Sequence, residues 1–381
     1  MSRAKPRICF VVSAPETASA FLNPHIAVLA EHYDIDVIAN FDASAIPVSD
    51  LARHINLPIE RTIKPLKDLK ALLQLRKAFR AGEYASVHSV TPKAGLLAMT
   101  AAAAARTPVR IHWFTGQVWA TRTGLGRTVL KTADRITARF ATEVLIDSPS
   151  QRDFVVAEGV VPAAKAVVLG NGSICGVDAE RFAPDPAARA RLRAEFDVAD
   201  DTTVLLFVGR INRDKGVLDL ARALPMVQTD SRLCVVLAGS DEQDLIPGIS
   251  AELESHGIAC IYVGHTSTPE KLMAAADIFC MPSYREGFGL SVIEASACAL
   301  PCVASNIYGL SDAVVDGVTG LLFPAGDAEL LASCLERLVP DQELRSEFGA
   351  AGRQRVLQDF TQQELTSALL ALYCELVPLL D

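Results

Sequence analysis

Short runs rich in β-branched residues alternate with helix-length stretches along this whole chain, and few folds accept that alternation other than parallel sheets built from βαβ units. In the first half, strands are expected at Ile8–Val12, Ile35–Ala39, Val87–Val90, Val109–Trp113 and Glu143–Ile146, with helices near 23–31, 66–80, 94–105, 125–140 and 150–157. The second half restarts the pattern, with strands at Thr203–Val208, Leu233–Ala238, Cys260–Val263, Ile278–Met281, Cys302–Ala304 and Gly320–Phe323. Its helices fit at 217–224, 249–256, 269–276, 291–298, 329–338, 342–358 and 362–378. The expected fold is α/β, two doubly wound Rossmann-like domains in tandem, and 381 residues suit two domains. The segment Gly170-Asn171-Gly172-Ser173, continued to Pro186, reads as the hinge.

Composition serves here mainly to exclude. The most apolar stretch, Ala94 to Ala105, has 12 residues, well short of the ~20 that a membrane span needs. Nine cysteines, an odd set without a CxxC pair, argue against a disulfide framework or a zinc site and for buried thiols in a reducing compartment. Arg3, Lys5 and Arg7 before Ile8–Ala14, with Ala18-Ser19-Ala20 beyond, imitate a secretory signal. The apolar run is only 7 residues and Pro15-Glu16 interrupts it, so the first strand of a cytoplasmic protein is expected instead. The net charge of −9 conceals +6 over residues 1–190 and −15 over residues 191–381. Two domains with different partners would divide charge this way. No aromatic-rich basic motif accompanies the basic half, so an anionic surface or a phosphate-bearing acceptor is expected as partner, and nucleic acid is not.

Ligands of open parallel sheets bind beyond the carboxyl ends of the strands. Gly209, Gly239 and Gly264 end three strands of the second half, which sets the expected cleft there, facing the first domain. Arg210 leaves one of these strands and Lys215-Gly216 opens the following helix, a fork and a point charge suited to a diphosphate. A charged surface loop is the plainer explanation. In Pro282-Ser283-Tyr284-Arg285-Glu286-Gly287-Phe288-Gly289-Leu290-Ser291, the glycines permit close backbone approach and the helix start favours phosphate. Glu286 and Glu294 flank that anion site, where carboxylates make sense as acceptors for sugar or ribose hydroxyls. For Glu294 a capping box, Ser291-x-x-Glu294, is a strong competing explanation that Glu286 does not share.

Glu286 and Glu294, with Gly209-Arg210 and Lys215-Gly216, resemble the signatures of glycosyltransferase family 4, retaining enzymes of the GT-B fold. The resemblance spans most of the chain, including Asn171-Gly172, Pro282-Ser283, Glu294-Ala295 and Gly317-x-x-Gly320. It implies Arg210 and Lys215 on the donor diphosphate, with Gly209 and Gly264 lining the donor site. Glu294 falls on the ribose, and Glu286 with the amides of Gly287, Phe288, Gly289 and Leu290 on the transferred sugar and phosphate. Arg210, Lys215 and Glu286 would then be the catalytic set. The implied organisation is an acceptor domain over 1–172, a nucleotide-sugar domain over 173–360 and a closing helix, 361–381, packed back toward the first domain.

Thr91-Pro92-Lys93-Ala94-Gly95, Phe114-Thr115-Gly116-Gln117-Val118-Trp119 and Gly170-Asn171-Gly172-Ser173 are similar to the subgroup that extends undecaprenyl-diphosphate-linked sugars for O-antigen, capsule or protein glycans, notably hexosaminyltransferases acting on diphospho-undecaprenol bacillosamine. Three departures stand out. Many relatives carry His-Gly where this chain has Thr115-Gly116, with His112 three residues earlier, and the resemblance does not say which inherits the role. Ser13-Ala14-Pro15 replaces a Gly-Gly loop, and Gly309-Leu310-Ser311-Asp312 a further Gly-Gly pair. Ser13, His88, Lys93, His112 and Thr115 form the candidate acceptor set; for His88 and Lys93 a satisfied strand-end histidine and a solvated lysine compete with it.

The expected activity is transfer of an N-acetylhexosamine or hexose from a UDP-sugar to a lipid-linked saccharide, with no cofactor and no metal. Asp34-Ile35-Asp36 matches a metal-binding DxD only in letters, being a solvated turn at the wrong end of a strand. Alternatives are a UDP-sugar 2-epimerase of the same fold, which lacks this glutamate spacing, and a non-catalytic nucleotide-sugar sensor. A dehydrogenase would need a GxGxxG that is not present. Arg127, Lys131, Arg135 and Arg139 line one helix face, and Lys67, Lys70, Lys77 and Arg80 another beside Leu69, Leu72, Leu73 and Phe79. Both helices are expected to hold the protein on the inner face of the cell membrane, unless they are ordinary solvated surfaces.

Overall fold

A computed structural model describes residues 5–43, 47–60 and 64–379. Arg3, part of the basic run weighed above, lies outside them. The chain divides into two compact units, one comprising the chain up to Gly176 together with the stretch from Gln362 onward, the other Val177–Thr361. Residues 173–176 stay with the first unit because Ser173 donates its N–H to the Asp147 carbonyl and the Ile174 carbonyl meets buried His25 Nε2 at 2.7 Å.

The first unit is a seven-stranded parallel sheet in the order β3-β2-β1-β4-β5-β6-β7. Its strands are β1 (Arg7–Val11), β2 (Asp34–Ala39), β3 (Arg53–Asn56), β4 (Ser86–Val90), β5 (Val109–Phe114), β6 (Glu143–Ile146) and β7 (Ala166–Val168). The helices are α1 (Pro15–Phe21), α2 (Asn23–Leu29), α3 (Pro65–Gly82), α4 (Pro92–Ala105), α5 (Gly124–Phe140) and α6 (Pro149–Ala157). Several open with proline in the first turn, where its missing N–H and fixed φ cost nothing. Ala-rich α4 is buried along most of its length and packs against both α3 and α5. Three elements have no counterpart in the pattern read above. Strand β3, Arg-His-Ile-Asn, is polar on a sheet edge, β7 has only three residues, and α1 begins at the Pro15 that reads as an interruption.

The second unit is a six-stranded parallel sheet in the order β10-β9-β8-β11-β12-β13. Its strands are β8 (Thr202–Val208), β9 (Arg232–Ala238), β10 (Ala259–Gly264), β11 (Ile278–Met281), β12 (Cys302–Ser305) and β13 (Gly320–Phe323). Around it lie α7 (Pro186–Glu195), α8 (Val217–Ala223), α9 (Ile246–Ser255), α10 (Pro269–Ala275), α11 (Leu290–Ala297), α12 (Leu310–Ala313), α13 (Ala328–Leu338) and α14 (Gln342–Asp359). The unforeseen α7 occupies the stretch after Pro186. It has little apolar surface, and instead Arg189 and Arg193 clasp Asp277 at 2.6 and 3.2 Å. The chain then returns to the first unit as α15 (Gln362–Leu376), burying Leu365, Leu369 and Tyr373 there.

Candidate functional site

In the second sheet, β8 and β11 are neighbours and the strand order runs outward from them in both directions. The loops leaving their carboxyl ends therefore diverge, the arrangement at which open α/β sheets bind ligands. These loops are the two charged motifs. After β8, the Asn212 carboxamide caps the short turn Arg213–Lys215 by accepting the Lys215 N–H at 3.1 Å. Gly216 has φ +68°, and a Cβ on it would lie 1.8 Å from the Pro282 carbonyl oxygen. Only glycine lets the two loops touch here. The Tyr284 N–H donates to the Asp214 carbonyl at 2.9 Å and completes the seam.

Lys215 and Glu286 are brought together across that seam. The Lys215 ammonium pairs with Glu286 Oε1, and Ser283 Oγ donates to the same oxygen at 2.8 Å. Arg210 is more open, its side chain 56% exposed against 18% for Lys215. It is paired with a residue that sequence reasoning missed: Arg210 Nη1 lies 3.2 Å from both carboxylate oxygens of Glu242. The available signal was an acidic pair, Asp241-Glu242, two residues beyond the Gly239 that ends the neighbouring strand. Gly264, at the end of β10, accepts the Gly239 N–H at 2.8 Å.

The capping-box explanation of Glu294 is overturned. Helix α11 starts at Leu290 after Gly289, whose φ is +94°, and no side chain caps it. Ser291 is already inside the helix, so its hydroxyl does not occupy the cap position and Glu294 has no capping partner there. Burial pushes the Glu294 carboxyl up to about 8, Arg181 pulling it down and Glu270 adding to the rise. Phe288 is buried against the Phe360 ring at 5.1 Å, so what it offers a ligand is backbone.

The acceptor candidates separate into two groups. His88 and His112 are fully buried strand residues, not groups at a strand exit. His88 Nδ1 meets the Tyr373 hydroxyl of α15 at 3.1 Å, while burial, with His25 and His112 nearby, holds the ring well below its ordinary pKa. His112 Nδ1 meets Ser89 Oγ at 2.8 Å, and burial lowers its pKa to about 3. The His112 ring lies where a Cβ on Gly95 would stand, 2.2 Å from its Cε1, so glycine in that motif makes room for the imidazole. Ser13, Lys93 and Thr115 do follow the carboxyl ends of β1, β4 and β5. Ser13 Oγ is 3.2 Å from Thr91 Oγ1, and Thr91 holds a φ of +75°, a strained value for a β-branched residue. Lys93 is mostly covered and pairs with Asp68 at 2.6 Å rather than being solvated.

Two surface expectations also change. In Asp34-Ile35-Asp36 only Asp34 is exposed. Asp36 is buried and binds Arg7 at 2.8 Å, Arg53 at 2.6 Å and the Tyr84 hydroxyl. Burial raises its pKa, but the Arg53 and Tyr84 hydrogen bonds outweigh that and leave it lowered, so the residue is a structural ion, not part of a solvated turn. Among the described residues no group of three or more His, Cys, Asp or Glu is placed to hold a metal ion. The α5 cations are not a free stripe: Arg127 and Lys131 both bind Glu158, and Arg135 donates to the Gly159 carbonyl at 2.9 Å. Arg135 and Arg139 are nonetheless exposed, together with the hydrophobic residues Leu125, Val129 and Ile136 of α5. On α3, Phe79 is buried, but Leu66, Leu69 and Leu73 are 85%, 54% and 56% exposed beside Lys70 and Lys77.

Residues 188–355 match the Glycosyl transferases group 1 family, and residues 26–172 the Glycosyl transferase 4-like domain. The chain is 30% identical over 320 residues to the capsular polysaccharide biosynthesis glycosyltransferase CapM of Staphylococcus aureus, covering 83% of each protein. It is 25% identical over 355 residues to the Escherichia coli UDP-Gal:alpha-D-GlcNAc-diphosphoundecaprenol alpha-1,3-galactosyltransferase, covering 91% of this chain and 90% of that protein. Among solved structures, Anabaena HepE in complex with UDP and glucose superposes with a TM-score of 0.80 at 20% identity, over 97% of this chain and all of the other.

Proposed function

The chain belongs to glycosyltransferase family 4, of the GT-B fold, and from that premise we propose that it moves a hexose or N-acetylhexosamine from a UDP-sugar to an undecaprenyl-diphosphate-linked saccharide, with retention of configuration. The observation that carries this reading is the Lys215–Glu286 pair at the switch point of one sheet, joining the loop that carries Arg210 to the loop that leads into α11. Departure of the nucleotide builds charge on the β-phosphate. Arg210, Lys215 and the first amides of α11 stabilise that charge, and fixed donors of this kind are worth most where charge develops. Glu286 accepts hydrogen bonds from the transferred sugar and Glu294 from the ribose. The leaving phosphate takes the acceptor proton, so the chain needs no separate base, and the two cations do the work of a metal.

Support for the acceptor comes from the E. coli relative, whose name specifies a diphosphoundecaprenol substrate. Ser13, Thr91, Lys93 and Thr115 are the groups of the first sheet that would meet such an acceptor. The exposed leucines of α3, flanked by Lys67, Lys70, Lys77 and Arg80, would rest on the anionic inner face of the membrane that carries it.

Incubation with UDP-sugars and a synthetic undecaprenyl-diphosphate saccharide tests the reading. Sugar should appear on the lipid, in EDTA as without it. Arg210→Ala and Lys215→Ala should each lose most turnover while folding normally; one charged hydrogen bond is worth about 1.5–3 kcal/mol, roughly ten- to 150-fold in rate. An epimerised UDP-sugar, binding without turnover, or activity abolished by EDTA and restored by Mg²⁺ would each overturn a stated part of this reading.

A further inference from the structure

Glu242 is built into the second unit more firmly than a surface glutamate needs to be. Its N–H donates to the Ile211 carbonyl at 3.0 Å, and the Ile211 N–H donates to the Ser240 carbonyl at 2.9 Å, so the loops after β8 and β9 run on as a short extra pairing. Asp241 stiffens the turn by accepting the N–H groups of Gln243, Leu245 and Ile246. The Glu242 carboxylate thus meets Arg210 Nη1 and also accepts from Asn212 Nδ2 at 2.7 Å. Asn212 in turn holds the Lys215 backbone, so one carboxylate sits behind both proposed phosphate cations. Lys215 has its own carboxylate in Glu286. In this state each cation is matched by an acid of the chain itself.

We propose that Glu242 is a ligand-mimicking residue of the donor site: an internal anion that occupies Arg210 until a ligand phosphate displaces it. This rests on the reading of Arg210 as a diphosphate contact. The Arg210 pair is exposed and screened, so its strength is small and a diphosphate, carrying more charge than one carboxylate, wins the exchange. A neutral nucleoside cannot make that exchange. Glu242 therefore lowers affinity for phosphate ligands while leaving that for a neutral nucleoside unchanged.

Calorimetric titration of UDP and of uridine into the wild type, Glu242→Gln, Arg210→Ala and the double variant provides the test. Glu242→Gln keeps an oxygen for Asn212 but removes the charge, and should tighten UDP binding about two- to fivefold, the range expected for an exposed ion pair. Uridine affinity should not change, and the gain should vanish in the Arg210→Ala background. UDP binding that is unchanged or weaker in Glu242→Gln, while Arg210→Ala weakens it, would make Glu242 a mere brace and sink the inference alone. An Arg210→Ala variant that binds UDP like the wild type would remove the phosphate assignment itself, and this inference with it.

Discussion

The carboxyl of Glu294, raised to about 8 by burial, is held protonated in the free protein at neutral pH. A carboxyl whose folded pKa lies above its unfolded value stabilises the fold fully below the unfolded value, and that stability is lost as pH rises through the folded one. The window here runs from the ordinary 4.5 to about 8. Glu294→Gln, a permanent stand-in for the protonated form, should therefore melt with the wild type at pH 5 and above it at pH 9. Thermal unfolding across that range checks the sign; a wild type more stable than the variant at pH 9 would contradict the burial argument. The same residue shows how far residue types can be read without a fold. The motif around Glu286 and Glu294 was visible as letters, but a capping box was equally visible, and only the helix start at Leu290 separates the two. Between His112 and Thr115, likewise, the chain gives no preference. The structure sets them at different depths: His112 lies inside against the Gly95 position, and Thr115 stands beyond the strand end.

At the scale of elements, period and propensity located the long helices and the buried strands within a few residues, because each carries an apolar stripe or run of its own. Besides α1 and the four-residue α12, they missed β3, β7 and α7, whose stability comes from what lies next to them: a sheet edge, a three-residue pairing, and the Asp277 carboxylate between two guanidinium groups. The same distinction reorders the two basic helices. Spacing aligns Arg127, Lys131 and Arg135 on α5, yet the segment at Glu158-Gly159 takes up their hydrogen bonds; on α3 Lys67 is likewise paired, with Glu60, but Leu66, Leu69 and Leu73 are exposed, so the proposed membrane contact is assigned to α3. Vesicle co-sedimentation should separate them. Replacing Leu66, Leu69 and Leu73 together by Ser should abolish binding to anionic vesicles at low salt, since a helix lying in the interface depends on its buried apolar area. Replacing Arg127 and Lys131 by Ser should change binding little, and the reverse ranking would restore the α5 stripe.

At the scale of the whole molecule, the last helix has the widest consequence. From α15, Tyr373 inserts its ring among Phe10, Tyr33 and His88, and the Tyr33 hydroxyl donates to the Val377 carbonyl at 3.0 Å. Residues at the end of the chain thus complete a core that begins with β1. Tyr373→Ala should destabilise the first unit by about 3–5 kcal/mol, as expected for emptying a buried aromatic site. Hydrogen exchange should show faster exchange in β1 and β4, with Val177–Thr361 unaffected; loss of protection across both units, or in neither, would refute this. The two parallel sheets, the place of the charged loops at their strand ends and the family were legible in the order of residues, because these depend on local periodicity and short motifs. Folding alone settled which charges are paired, that Glu242 faces Arg210, that His25, His88 and His112 are buried and which side chains of the final helix enter the core of the first unit. Each of these depends on groups far apart in sequence meeting in space, and burial and partner choice arise only once the chain has folded.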